Sequence, residues 1–422
     1  MRLLWLSNLA PGPVQAHLTS QSGSGLWMDH VLEFLQKDKN IKLRMLCPWT
    51  SRAAGKLSET CSFCTFVHEK PQKVSLELQN LFLSQLGEFQ PDVVHIWGTE
   101  FGHTLAMVRA CEQAGFLDRT VISIQGLCLY VGKHYTEGLP LSVQRRFTLR
   151  DFLRQDNILM QQKTFLARGE NEKLALAGIR HVMGRTHWDR ACARQLCPKA
   201  KYETCNEVLR ESFYEGQWTY AACEKHRIFT PSRLYPIKGF HYALEALHLI
   251  LKEYPDAVLA VPGENPCCHG MARLRQDSYA RYLGELMETY DLHDHVEFLG
   301  AQSEEGMKEQ LLKANVFLLP STIENSSNSL GEAMLLGVPA VATDAGGTAT
   351  LLENGKEGIL CQSTAPYMLA DGVLRIFDEK ENAEVMGRAA AAHGAKTHAP
   401  EENFRRLLEI YRSIREGKES GL

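Results

Sequence analysis

The chain has 422 residues, of which 44% are hydrophobic and 23% are charged, the balance of an ordinary globular protein with room for two or three domains. Its net charge of −4 excludes the global basic field of a nucleic-acid-binding protein. There is no run of about 18 apolar residues, so no membrane span is predicted. Twelve cysteines without a predicted secretion signal indicate a reducing, cytoplasmic environment.

The first half of the chain alternates between predicted strands and predicted helices. Short apolar runs predict buried strands, and segments with a helical spacing of apolar residues follow them. The strands are expected at 3–6, 42–46, 91–97, 120–124 and 181–184. This alternation is typical of a parallel, doubly wound sheet, in which the loops that follow the strands share one edge and bind the ligand there.

Four residues near the ends of these strands are candidates for ligand contact. Gly25 lies in a Gly/Ser-rich loop, whose backbone can approach a phosphate closely; a surface loop with no ligand is the alternative. Gln125 can hydrogen-bond sugar hydroxyls. His103 and Arg185 are candidates for contact with an acceptor or a sugar, although His103 at a helix start is equally typical of a surface histidine.

The segment 130–168 has no clear strand and carries a basic, amphipathic pattern. Its arginines and the apolar residues between them are Arg145, Arg146, Phe147, Leu149, Arg150, Phe152, Leu153 and Arg154. Such a segment can contact a membrane surface or an anionic, lipid-linked acceptor. Because the charge run is short, we favour a solvated helix face over a membrane contact.

A second series of strands and helices begins near residue 227. The first strand is expected at 227–231, and the loop after it carries Arg233 and Lys238 before a helix at 240–251. Two cations at one strand end, close to a helix start, can both reach a diphosphate. Exposed loop cations with no ligand are the alternative.

The stretch 316–347 predicts a strand, a polar loop, a helix, a second strand and a tight glycine turn. The loop and the helix carry two carboxylates, Glu324 and Glu332, with seven residues between them. A carboxylate at a helix start can bind paired ribose hydroxyls. Ser329 is expected to cap the helix. Together with Glu332 it also has the spacing of a capping box, which needs no ligand.

This ordered string, from Pro320–Ser321 through both glutamates to Gly346–Gly347, resembles the E-x7-E region of GT-B glycosyltransferases of retaining family 4. The resemblance is dense after Ile228 and thinner before it. The portions 91–126 and 188–236 are similar to bacterial transferases that build cell-surface polysaccharides.

The chain departs from the family pattern at three positions. Gln125 stands where the family often has a histidine near the donor sugar, so the role of that histidine is open here. Ser232 and Glu207 each replace a glycine of the family pattern.

The resemblance implies roles for individual residues. Glu324 is expected at the donor sugar and Glu332 at the nucleotide ribose. Arg233 and Lys238 are expected to stabilise the charge on the departing diphosphate, and Gln125 to lie near the donor sugar. The expected donor site is completed by Gly25 and by the helix start at Asn328, Ser329 and Leu330.

The implied fold is α/β of the GT-B type, with two Rossmann-like, doubly wound domains facing each other across a cleft. Residues 1–222 are expected to bind the acceptor, with the helix of 400–422 packed back on them, and residues 223–399 to bind the nucleotide sugar. The expected boundaries follow from the stretch 215–224, which has the composition of a domain crossing.

The implied activity is a retaining transfer of a sugar from a nucleotide-diphosphate sugar to an acceptor hydroxyl, in the synthesis of cell-surface polysaccharide or glycolipid. The acceptor is expected to be a carbohydrate or a lipid-linked molecule. No Asp-x-Asp motif is present, so neither a metal nor another cofactor is expected. A GT-B sugar-nucleotide epimerase and an inactive nucleotide-sugar-binding protein are the alternatives.

Overall fold

The structure, a computed structural model, describes residues 1–19, 27–232, 235–267 and 274–417. They form two compact units. The first unit consists of the described residues of Met1–Tyr130, Thr164–Arg210 and His398–Leu422, and the second of those of Val131–Lys163 and Glu211–Thr397.

The first unit is built on an eight-stranded sheet with the order β3-β4-β2-β1-β5-β6-β7-β8. Its strands are parallel except for the antiparallel pair β3–β4. They are β1 Arg2–Ser7, β2 Lys42–Trp49, β3 Ala54–Lys56, β4 Cys61–Val67, β5 Val93–Trp97, β6 Thr120–Ser123, β7 His181–Gly184 and β8 Lys201–Thr204. The chain leaves β1 toward β2 and returns on the other side of β1 at β5. The winding therefore reverses between β1 and β5.

The second unit holds a six-stranded sheet with the order β11-β10-β9-β12-β13-β14. All its neighbouring strands pair in parallel. They are β9 Arg227–Phe229, β10 Val258–Val261, β11 Val296–Phe298, β12 Val316–Leu319, β13 Ala340–Thr343 and β14 Ile359–Cys361. Here the winding reverses between β9 and β12. Two doubly wound, Rossmann-like sheets confirm the predicted fold class.

The helices connect these strands. They are α1 Gly12–Thr19, α2 Trp27–Lys37, α3 Leu76–Phe89, α4 Gly102–Ala114, α5 Cys128–His134, α6 Leu141–Gln144, α7 Leu149–Arg154, α8 Ile158–Ala177, α9 His187–Leu196, α10 Phe240–Ile250, α11 Ser278–Thr289, α12 Glu304–Lys313, α13 Asn328–Leu336, α14 Thr348–Leu351, α15 Pro366–Asp378, α16 Lys380–Thr397 and α17 Pro400–Glu416. None of the described helices combines the length and the apolar character that a bilayer crossing needs.

The strand β1 shows why the first sheet is covered on both faces. Successive side chains of a strand point to opposite faces, and in β1 both alternating sets are buried. Leu4 and Leu6 pack into one core, and Leu3 and Trp5 into the other. An apolar run without polar alternation is what a parallel sheet with helices on both faces requires.

The C-terminal helix α17 packs on the second of these faces. Its buried Tyr411 accepts a hydrogen bond from the indole Nε1 of Trp5, at 3.1 Å. The same hydroxyl is hydrogen-bonded to His95 Nδ1 at 2.6 Å, and His95 Nε2 to Ser123 Oγ at 2.6 Å. Burial holds the pKa of His95 well below its usual value. This polar chain fixes the helix against strands β1, β5 and β6.

The segment Val131–Lys163 packs with the second unit, although the sequence-based domain boundaries place it within 1–222. Arg146 donates to Glu285 at 2.8 Å, and Thr148 donates to the carbonyl of Gln276 at 2.9 Å. The partners of this segment lie more than a hundred residues away in the sequence. Proximity along the chain therefore does not decide with which unit a helical insertion packs.

Candidate functional site

Two of the predicted site residues of the second unit, Lys238 and Glu324, meet where its sheet reverses. A one-turn helix, Pro236–Lys238, follows β9, and the loop after β12 carries Glu324. Lys238 Nζ donates to Glu324 Oε1 at 2.6 Å, and Ser321 Oγ donates to the same oxygen at 2.8 Å. The Lys238 side chain is 33% exposed and that of Glu324 is 10% exposed. The pair therefore lies at the ligand edge of the sheet, with its cation open to solvent.

Two glycines allow the loops around this pair to approach one another. Gly239 has a φ of +68°, and a Cβ there would lie 1.9 Å from the Pro320 carbonyl oxygen. Gly346 has a φ of +59°, and a Cβ there would lie 1.9 Å from the Glu324 carbonyl oxygen. That oxygen accepts a hydrogen bond from Gly347 N at 2.9 Å. Any larger side chain would push the loops apart and displace Glu324.

The helix α13 starts beside this pair, and its cap differs from the prediction. Ser327, not Ser329, is the N-cap, because its extended backbone allows its hydroxyl to accept from Leu330 N. Ser329 lies inside the first helical turn, so the prediction that it caps the helix is wrong. Ser321 and Glu324 lie in the loop before this helix, where their side chains hydrogen-bond each other. The first-turn N–H groups of such a helix have no intrahelical acceptor.

Glu332 lies one turn further into α13 and is only 3% exposed. The side chain of Leu330 is part of the core around Phe317 and Leu319. The predicted contacts of Glu332, Asn328, Ser329 and Leu330 with the donor remain predictions. Arg233 and Gly25 lie outside the described residues, so their predicted roles also stay predictions.

In the first unit, Gln125 and Arg185 lie together with Glu207, which the sequence analysis did not propose. Gln125 Nε2 donates to Glu207 Oε1 at 2.6 Å, and Arg185 donates to the other oxygen of Glu207 and, at 3.4 Å, to Gln125 Oε1. All three line a pocket with Trp97 and Ser123. Burial raises the pKa of Glu207, and the Arg185 charge opposes that shift. The sequence did carry a signal for Glu207, because this charged residue replaces a glycine of the family pattern.

His103 is buried at 5% exposure, so the interpretation as a surface histidine is wrong. Its Nε2 donates to Asn8 Oδ1 at 2.9 Å, and its ring stacks on Phe101 at 5.3 Å between centroids. Burial lowers its pKa to about 3, and the charges of His68 and Arg168 act in the same direction. His103 is therefore a neutral hydrogen-bond donor at physiological pH.

The residues that carry the predicted amphipathic pattern, 145–154, form the loop after α6 and the helix α7. Arg146 pairs with Glu285, and Arg150 pairs with Asp156 at 2.6 Å. Large apolar side chains of α6, this loop and α7 are exposed, namely Leu141, Phe147, Leu149, Phe152 and Leu153. The segment is therefore a solvated face of unusually apolar composition.

Within the described ranges, no three His, Cys, Asp or Glu side chains come together as a set of metal ligands. The reversal of the second sheet brings together a lysine, a carboxylate, hydroxyls and a helix start. A cation near the first-turn N–H groups of a helix is suited to an anionic phosphate group.

Comparison with known proteins finds similarity to one family over part of the chain. Residues 221–393 match the family model described as glycosyl transferases group 1. A D-inositol 3-phosphate glycosyltransferase of Corynebacterium urealyticum is 30% identical over 192 residues, which are 45% of this chain and 43% of that protein. A GDP-mannose-dependent phosphatidylinositol monomannoside mannosyltransferase of Mycobacterium tuberculosis is 26% identical over 177 residues, 40% of this chain and 43% of that protein. The chain thus spans less than half the length of these relatives.

Solved structures match over nearly the whole chain. Sucrose-phosphate synthase from Thermosynechococcus elongatus has a TM-score of 0.72 at 17% identity, over 99% of this chain and 100% of that one. Anabaena Alr3699/HepE, in complex with UDP and glucose, has a TM-score of 0.66 at 16% identity, over 98% of this chain and 100% of that one. These similarities confirm the GT-B fold.

Proposed function

We propose that the protein is a retaining glycosyltransferase, and the match of residues 221–393 to the family model of glycosyl transferases group 1 supports this. It transfers a sugar from a nucleotide-diphosphate sugar to an acceptor hydroxyl, in the synthesis of polysaccharide or glycolipid. The named relatives support this class, since one uses GDP-mannose and a glycolipid acceptor. The structure of HepE with UDP and glucose supports the same ligand class.

The Lys238–Glu324 pair carries the proposal. It lies where the second sheet reverses its winding, and open parallel sheets bind their ligands at such reversals. Glu324 accepts a hydrogen bond from the partly exposed ammonium of Lys238 at 2.6 Å. With donor bound, the ammonium contacts the diphosphate, and Glu324 accepts hydrogen bonds from sugar hydroxyls. Glu332 binds the ribose, and Arg233 joins Lys238 at the diphosphate.

The reaction breaks the bond between the anomeric carbon and the diphosphate oxygen and forms a bond to the acceptor oxygen on the same face. The acceptor proton passes to the departing phosphate. Negative charge on the diphosphate grows as the old bond breaks, so Lys238 stabilises the transition state more than the ground state. No step in this scheme uses a metal ion, and we expect full activity after treatment with EDTA and gel filtration.

The proposal is tested by binding and then by turnover. Isothermal titration calorimetry with UDP-, GDP- and ADP-sugars should identify one that binds in the micromolar range. The best donor is then incubated with carbohydrate and lipid-linked acceptors, and proton NMR of the product should show the anomeric configuration of the donor. An altered nucleotide sugar formed without acceptor would indicate an epimerase, and binding without any product would indicate an inactive binding protein.

We also propose that α6 and α7 contact an anionic membrane surface. Their apolar side chains, with Leu153 at 73% exposure, lie on a segment that also carries Arg145 and Arg154, and this combination suits the interface of an anionic bilayer. Phosphatidylglycerol-containing vesicles should co-sediment the protein. Replacing both Phe152 and Leu153 by serine should reduce the partition coefficient about tenfold. Leu76→Ser, at another exposed leucine, is the control, and equal sedimentation of all three proteins would contradict the membrane contact.

A further inference from the structure

The first sheet reverses its winding between β1 and β5, and polar side chains follow both strands there. Asn8 comes directly after β1, and Glu100 comes three residues after the end of β5. Because β1 and β5 are neighbours in the sheet, their carboxyl ends open into the same crevice. This is the position at which doubly wound sheets bind ligands.

The Glu100 carboxylate is held from one side by a directed chain of hydrogen bonds. Asn8 Nδ2 donates to Glu100 Oε2 at 2.6 Å, and His103 Nε2 donates to Asn8 Oδ1 at 2.9 Å. Arg168 Nε donates to the Glu100 carbonyl at 2.6 Å. The neutral imidazole of His103 fixes the orientation of the Asn8 amide, and the amide in turn fixes one carboxylate oxygen.

Glycines on both sides place no side chain over the carboxylate, which stays partly exposed. Gly98 has a φ of +106°, and a Cβ there would lie 2.2 Å from Asn8 Nδ2 and 2.3 Å from Glu100 Oε2. A Cβ on Gly126, at the end of the next strand, would lie 3.5 Å from Glu100 Oε1. No side chain from either position stands between Glu100 and the edge of the sheet, and Glu100 itself is only half-buried.

The surroundings make this carboxylate a strong hydrogen-bond acceptor. Burial raises its pKa above the usual value, while its own backbone N–H, the Arg168 charge and the Asn8 amide act against that shift. A carboxylate that has lost part of its hydration gains more from a hydroxyl donor than one in bulk water does.

We propose that Glu100 binds a hydroxyl of a neutral carbohydrate acceptor, with Asn8 and His103 as positioning residues. This inference rests on the proposed function and adds the group that orients the acceptor. A carboxylate repels phosphate and carboxylate groups, so the ligand at this point is an uncharged polyol. The hydroxyl keeps its proton while it is bound to Glu100, since the proton leaves only with the diphosphate in the reaction.

The test separates sugar binding from nucleotide binding. Saturation-transfer NMR with a panel of methyl hexosides and methyl N-acetylhexosaminides measures sugar binding without any donor. Glu100→Gln keeps the size of the side chain and removes its charge. We expect it to weaken sugar binding by roughly 10- to 150-fold, the range for a hydrogen bond to a charged group. Its affinity for the nucleoside diphosphate, measured by calorimetry, should stay at the wild-type value.

Two further variants complete the design. Glu112→Gln, an exposed glutamate of α4, should bind sugars as the wild type does. Lys238→Met should bind the nucleotide more weakly and keep its sugar binding. A failure of the proposed function would therefore show in the nucleotide measurement alone. Equal sugar binding by the wild type and Glu100→Gln, or no sugar binding by the wild type, would overturn the inference. The melting temperature of Glu100→Gln should lie near that of Glu112→Gln, and rescue of sugar binding by Glu100→Asp would support a direct role of the carboxylate.

Discussion

Each of the two sheets has a crevice where its winding reverses, and the two crevices carry different side chains. In the first unit the reversal between β1 and β5 holds the Asn8 amide and the Glu100 carboxylate, 2.6 Å apart. In the second unit the reversal between β9 and β12 holds the Lys238 ammonium and the Glu324 carboxylate, also 2.6 Å apart. The crevice arises from the winding of the sheet, whereas the sign of the charge in it arises from single side chains. We interpret the first as suited to neutral hydroxyls and the second to a diphosphate.

The Arg185–Glu207–Gln125 cluster shows a third arrangement at the same edge of the first sheet. There the arginine and the carboxylate neutralise each other, and both side chains are nearly covered. A buried pair of this kind supplies little net charge to a ligand. This contrast favours Lys238, whose side chain is 33% exposed, over Arg185 as the cation that receives an anionic substrate.

The largest expected effect is the loss of the cation in the second crevice. Lys238→Met keeps most of the side-chain length and removes the charge that opposes the growing diphosphate charge. We expect kcat to fall by roughly 10²- to 10³-fold, the scale for losing a pre-positioned electrostatic group, with a smaller change in the acceptor KM. Steady-state kinetics with the identified donor measures it.

Lys252→Met, at an exposed lysine of the same unit, is the matched control for this prediction. If Lys238→Met retained the wild-type kcat while its circular dichroism and melting temperature were unchanged, the assignment of the leaving-group contact to Lys238 would be wrong.

The next prediction concerns the nucleotide rather than the reaction. Glu332→Gln should weaken binding of the nucleoside diphosphate by about 10- to 150-fold, because a charged acceptor for ribose hydroxyls becomes a neutral one. Calorimetry measures this, and the exposed Glu305→Gln on α12 is the control. Unchanged affinity together with a lower melting temperature would show that the buried Glu332 is structural only.

His103, beside the first crevice, is expected to make the free energy of unfolding depend on pH. This histidine has a folded-state pKa of about 3 against an ordinary value of 6.5, so between these values the unfolded chain binds more protons. The free energy of unfolding should therefore fall as pH falls below about 6.5, by about 1.4 kcal/mol per pH unit for this one residue. His103→Gln has no histidine at this position to protonate. The difference in the free energy of unfolding between the wild type and His103→Gln should therefore become smaller from pH 6.5 to pH 5. Urea titrations at several pH values measure the difference, and a constant deficit would contradict the neutral, buried state.

The smallest expected effect is a difference in salt dependence between the crevices. Raising sodium chloride from about 0.05 M to about 0.5 M should weaken nucleotide binding about threefold, because the Lys238 ammonium is partly exposed and screened by salt. Sugar binding to the first unit should change little, since the ligand is uncharged. Equal salt dependence in calorimetry and NMR would contradict the assignment of different chemistry to the two crevices.

The amino-acid sequence determined the alternating elements, the doubly wound sheets and the loops that carry Lys238 and Glu324. These features depend on local rules, namely the period of apolar residues, glycine turns and residues that follow strands. The resemblance that named the family rests on the same contiguous string after Val316. Even within this string the predicted helix cap, Ser329, was wrong, and Ser327 caps the helix. The two serines differ in backbone conformation and not in side-chain chemistry.

Only the tertiary structure decided which distant side chains meet. Asn8 and Glu100 are 92 positions apart, and Gln125 and Glu207 are 82 apart. Their pairing depends on the order in which strands enter the sheet, and no local pattern encodes that order. The same reason applies to Val131–Lys163, whose polar side chains contact residues far away in the sequence. It also applies to His103, which is buried by residues of other elements. Contacts of this range are set by the packing of whole elements, so they follow from the assembled sheet and not from the residues beside them in the chain.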